Sequence, residues 1–143
     1  MRMLAAILAT AIILPAAATA GPIEERQAIM KGNGRDTKLG GDMLKGATPF
    51  DATTANKILA NYAAAAKAFP KHFPAGSNTG DTEAAPAIWS KPAEWNAATA
   101  KFQKDTAAAM AMKPTNAADF GKAFGMVTAN CKSCHEGFRI KKG

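Results

Sequence analysis

At 143 residues the chain fits one domain with a modest core. A formal charge of +7 favours acidic partners or anionic surfaces. The basic residues are scattered and only Lys141 and Lys142 are adjacent, which argues against nucleic acid as a partner.

Residues 1–20 read as a secretory signal peptide. Arg2 is its positive n-region, residues 3–14 are an apolar run, Pro15 breaks that run, and Ala18-Thr19-Ala20 offers a cleavage site between small residues. The run is short for a membrane span. Cleavage after Ala20 leaves Gly21–Gly143 as a single mature domain in the periplasm. No second long apolar segment follows, so no stable membrane insertion is expected after cleavage.

The rest of the chain predicts an all-α fold. Alternating strand patterns are missing and alanine, the best helix former, is abundant. A first helix starts near Pro22, with Glu24 and Glu25 in the first turn where they suit the helix dipole, and stops near Gly46. Gly32, Gly34, Gly40 and Gly41 each weaken it by roughly 1 kcal/mol relative to alanine. Either the helix breaks there, or something bulky packs close to its backbone. A second helix starts at Asp51 or Thr53 and ends at Pro70. Residues 70–90 read as a long loop, a length that often signals function. A third helix is expected from an N-cap at Ser90 to just before Pro114. A fourth is expected from Thr115 or Asn116 to the C-terminus. On the fourth, Phe120, Phe124, Val127, Cys131, Cys134, His135 and Phe138 recur at about helical spacing. The short third connection makes its two helices antiparallel neighbours, so the whole is an antiparallel up-down four-helix bundle.

Cys131-Lys132-Ser133-Cys134-His135 is a CxxCH sequence, the attachment signature of c-type haem. Cysteines at i and i+3 of a helix lie on nearly one face, so both reach the same porphyrin edge and its two vinyl groups. His135, one turn after Cys131, points at the iron from that face. Three other readings are weaker. A zinc site needs about four ligands, and no second CxxC exists. A redox dithiol needs a βαβ context. A disulfide would compete with attachment for both cysteines. Only eight residues follow His135, so any sixth iron ligand comes from earlier helices.

The segments CKSCHEGFR, RQAIMK, FDA at 50–52, FPAGS at 73–77 and AIW at 87–89 together resemble the class II cytochromes c, in the expected order and across the whole mature chain. That group includes cytochrome c′ and its low-spin relatives. The resemblance implies one covalent haem c with its iron, a four-helix bundle and a homodimer through the first two helices. It also implies that the residue four after the RQ arginine covers the iron. Here that residue is Met30. If the Met30 thioether binds, the iron is six-coordinate, and thioether opposite histidine raises the reduction potential and suits electron transfer. If Met30 is only a lid, the iron is five-coordinate and binds NO or CO. The other methionines, Met43, Met110, Met112 and Met126, are expected in the core. His72 is expected to be a surface loop residue rather than a ligand. Arg26 and Gln27 are implied at the haem propionates, with Arg26 one turn before Met30. Glu83 is implied at the haem edge. Trp89 and Trp95 are expected to anchor core or loop. The expected role is a periplasmic electron carrier, not an enzyme, meeting an acidic redox partner.

Overall fold

The computed structural model describes residues 20–140. The expected signal peptide, apart from Ala20, lies outside the described residues, as do Lys141–Gly143. In chain order the elements are α1 (Pro22–Leu44), α2 (Ala52–Ala68), a 3₁₀ turn (Phe69–His72), α3 (Ala87–Ser90), α4 (Pro92–Ala111) and α5 (Ala117–Phe138). The four long helices, α1, α2, α4 and α5, form the expected bundle. α4 packs on both α2 and α5.

Local chemistry sets most helix ends. Pro22 opens α1, and Asp51 caps α2 by accepting from Thr54 N at 2.7 Å. Asn116 caps α5 by accepting from Asp119 N at 2.9 Å. Lys91 precedes Pro92 at the start of α4, one residue later than the expected cap at Ser90, because Ser90 closes the short α3. At the end of α1, Gly46 takes φ +74°, and Ala47 N returns to Asp42 O at 2.9 Å. That is the left-handed glycine stop.

α1 runs unbroken through its four internal glycines. Gly40 has a packing reason: a Cβ there would collide with the Phe124 ring of α5. One turn on, a Cβ on Gly121 would sit 3.4 Å from Leu44 Cδ2. These two contacts fix α1 antiparallel to α5 and set their register. Nothing lies within 4 Å of a Cβ on Gly34 or Gly41. Their presence in the helix has no structural explanation.

The main core fills the end of the bundle away from CxxCH. It joins Met43, Ile58, Leu59, Tyr62, Phe120, Phe124 and Val127, with Phe50 and Phe102 packed on its edge. Met110, Met112 and Met126 are not in it. They are 42%, 41% and 39% exposed, because the inward faces are taken by Thr106 and Ala109 on α4 and by Phe120, Ala123, Phe124 and Val127 on α5. Only Met43 meets the expectation of a core methionine.

Tyr62, the chain's single tyrosine, is 1% exposed, and its hydroxyl lies 2.7 Å from Thr37 Oγ1. Thr37 also donates to Asn33 O. Burial pushes the phenol up to about 12, with the Thr37 contact opposing. The folded state thus holds its proton beyond the ordinary value of 10. Its contribution to stability is complete below pH 10 and lost as pH rises from 10 to about 12. Alkaline unfolding should steepen across that window, and Tyr62→Phe should flatten it. Ultraviolet phenolate absorbance, which reports this one residue, checks the ionisation.

Two expectations need correction. The fourth helix does not reach the C-terminus. It ends at Phe138, where Arg139 turns extended and pairs with Ala84 as a lone antiparallel bridge. The backbone hydrogen bonds are Ala85 N to Phe138 O at 3.0 Å and Ile140 N to Glu83 O at 2.8 Å. The stretch expected as loop from 70 to 90 is also more ordered, holding part of the 3₁₀ turn and all of α3. Among the described residues no helix is long and apolar enough to cross a membrane.

Candidate functional site

The site lies where α1 and α5 face each other beyond the main core. Gly40 is level with Phe124. Ten residues back along α1 is Met30, and ten forward along α5 is Cys134, next to His135. The antiparallel register therefore brings Met30 and His135 to about the same height on facing helices. Cys131 and Cys134 are part-buried and unpaired. Burial raises both thiols above the ordinary value, and Cys131 adds to this at Cys134. That is opposite to the low thiol pKa of a redox dithiol. His135 is exposed, beside a recess of about 450 Å³ that it lines with Lys132, Glu136 and Arg139. Partial desolvation, then the Arg139 cation, lower its pKa, while Glu83 opposes them. The neutral imidazole that can ligate a metal is thereby favoured.

Met30 is part-buried, and the Asn33 amide points at its sulfur from 4.0 Å. One turn earlier, Arg26 is 4% exposed. Its Nη1 donates to His72 O and Ser77 Oγ, both at 3.1 Å. Its Nη2 donates to Ser77 O at 2.7 Å and Thr82 Oγ1 at 2.6 Å. The guanidinium also lies 4.7 Å from the Phe73 ring centre and 5.9 Å from that of Trp89. All four acceptors are neutral oxygens, so a buried cation is held with no carboxylate in its hydrogen-bond set. Burial lowers its pKa and Glu24 opposes this, but a guanidinium stays charged at any working pH. Gln27 donates to Asp81 O at 2.7 Å, and Glu83 Oε2 accepts from Arg139 Nε at 2.5 Å.

The expected residues Arg26, Gln27 and Glu83 thus meet on one loop. His72 contributes its backbone oxygen. Trp89 and Trp95 are anchors in a second cluster, with Phe73 and Trp95 at 4.8 Å and Trp95 and Phe138 at 5.2 Å between ring centres. Sequence reasoning passed over Ser77 and Arg139. Both had a signal, since Ser77 closes the FPAGS segment and Arg139 closes CKSCHEGFR. Neither the main core nor the aromatic cluster includes a residue of α1 from Ala28 to Leu39, or of α5 from Thr128 to Gly137. The interval between them carries Met30, both cysteines and His135.

The sequence pattern of the family described as Cytochrome C' matches residues 21–139. The chain belongs to the cytochrome c′ family. It is 37% identical over 138 residues to the cytochrome c-556 of Agrobacterium fabrum, covering 96% of this chain and 94% of that one. It is 43% identical over 123 residues to a cytochrome c′ of Rhodopseudomonas palustris, covering 84% and 82%. The solved structure of cytochrome c′ from Rhodopseudomonas palustris superposes with a TM-score of 0.79 at 40% identity, covering 87% of this chain and all of that one. As a member of this family the chain is a c-type cytochrome with covalent haem c, and its two cysteines are the ones available for attachment. The site fits such a group. Two thiols one turn apart and an imidazole whose neutral form is favoured lie on α5 in the gap between the two clusters, and the buried Arg26 cation has no carboxylate in its hydrogen-bond set.

Proposed function

We propose that the protein is a periplasmic electron carrier, exported by cleavage after Ala20. Cys131 and Cys134 hold the haem, His135 is the proximal ligand, and Met30 is the distal one. The supporting observation is the register of α1 against α5, which sets Met30 level with His135. When bound, the haem supplies a one-electron ferric–ferrous couple whose potential a thioether ligand raises. The polypeptide's part is to hold. α1 and α5 keep both ligand side chains on rigid helices, which limits rearrangement when the charge changes. Arg26 and Gln27 stand ready for the propionates, with Arg26 bringing a cation that has no carboxylate hydrogen-bonded to it. Glu83 stands at the haem edge. No substrate is transformed, so the protein is not an enzyme. Its basic surface meets an acidic redox partner, with docking that weakens as salt rises.

A homodimer would use the open groove of about 660 Å³ between α1 and α2, where Ile29 and Leu39 lie among polar residues such as Asn33, Asp36, Lys57 and Asn61. Sedimentation of the holoprotein checks it.

Absorption spectra of the ferric and ferrous holoprotein, with and without CO, test the ligand set. Met30 ligation gives a low-spin spectrum in both states and slow or no reaction with CO. A ferrous high-spin form that takes CO at once would sink the carrier reading and leave the five-coordinate, NO- or CO-binding one.

A further inference from the structure

We infer that residues 72–85 form a strap coupling the His135 end of α5 to the Met30 turn of α1, with the Glu83–Arg139 ion pair as its clasp. Its functional consequence rests on Met30 and His135 being the two iron ligands.

The coupling is built from adjacent residues. Arg139 follows His135 by one turn, and its backbone N–H still donates to His135 O at 3.3 Å. Its side chain grips Glu83, and the next residue's N–H donates to Glu83 O at 2.8 Å. Thr82, directly before Glu83, accepts from Arg26 at 2.6 Å, and Asp81 O accepts from Gln27. Arg26 precedes Met30 by one turn. Two arginines, each one turn from a ligand residue, therefore hold neighbouring residues of the same loop. Ala84 N donates to Thr82 Oγ1 at 3.1 Å, which stiffens the short link between the two grips.

The two grips differ in strength. The Arg26 end is buried and multiply bonded, so it is durable. The Arg139 side chain is 49% exposed and that of Glu83 39%. An exposed pair is weak and screened by salt. Slack therefore enters at Glu83–Arg139 and is passed through Thr82 to α1. If Met30 holds the iron, its thioether would have to give way before CO could bind, and slack in the strap would make that easier.

The test uses haem-loaded protein: wild type, Glu83→Gln, Arg139→Gln, and the reversed pair Glu83→Arg with Arg139→Glu. Two rates are read, amide hydrogen exchange over residues 26–33 and CO trapping by the ferrous form. Each single variant should raise both about two- to fivefold, the range an exposed pair can transmit. The reversed pair should bring both back towards wild type, which a change in loop packing alone would not do. Faster exchange confined to Ala85 and Ile140 overturns the coupling. So does a CO rate that stays at the wild-type value in a six-coordinate protein. If wild type itself binds CO at once, the Met30 reading has failed, and exchange over residues 26–33 alone decides the strap: a rise supports it, no rise overturns it.

Discussion

Met30→Ala should turn the holoprotein from low-spin to high-spin and open its ferrous iron to CO. Under the proposed ligation, alanine has no donor atom and leaves space where the thioether stood, so the iron would drop from six ligands to five. The reduction potential should fall as well, because a thioether opposite histidine favours the ferrous state. Met30→Leu separates the two contributions. Leucine conserves volume and costs little in packing, so its effect reads the sulfur alone. High-spin spectra in both variants, against a low-spin wild type, establish ligation by Met30. A low-spin spectrum in Met30→Ala would point to another ligand, with His72 the first to replace. Met43 makes a useful control. It is 4% exposed in the main core, so Met43→Ala should cost about 2–5 kcal/mol in stability while the spectrum stays as in wild type.

Much of the bundle was legible from local chemistry. Pro22, Asp51 and Asn116 announce helix starts because a first turn needs acceptors for its free N–H groups, and few residue types provide them. The α5 stripe from Phe120 to Cys134 showed which face turns inward. Gly40 was legible only as a question. It demanded a close neighbour, and the neighbour proved to be Phe124 on a helix some eighty residues away. Such a pairing depends on tertiary register, which no local pattern encodes. The exposed Met110, Met112 and Met126 fail for a related reason. Apolar character gives a preference for burial, but each helix turns only one face inward, and on α5 that face is taken by Phe120, Phe124 and Val127. The loop was the least legible part. Its Pro, Gly, Ser and Asn content predicts irregular backbone, yet what orders it is a buried arginine from α1 and a bridge to the end of α5. Both are non-local.

Arg26→Ala should be the most destabilising single change at the site, by about 3 kcal/mol, or roughly a 10 °C drop in Tm. The side chain supplies four hydrogen bonds to His72 O, Ser77 Oγ, Ser77 O and Thr82 Oγ1, and stacks near Phe73 and Trp89. Its loss strands those acceptors in a pocket and frees residues 72–82 from α1, so limited proteolysis within that segment should accelerate. Arg26→Met keeps an unbranched chain of similar bulk against the two rings but donates nothing. Little recovery in Arg26→Met assigns the cost to hydrogen bonding, and large recovery assigns it to packing. Arg26→Lys keeps the charge without the planar fork, and one ammonium cannot replace both Nη1, on His72 O and Ser77 Oγ, and Nη2, on Ser77 O and Thr82 Oγ1, so recovery should be less than half. The same series tests the propionate contact. If Arg26 places its cation beside a propionate, removing that charge disfavours the more electron-rich ferrous state, and the potential of Arg26→Met should fall while that of Arg26→Lys stays near wild type. A potential that follows only the loss of stability, equal in Met and Ala and independent of charge, would leave Arg26 as the anchor of the loop and remove it from the haem site.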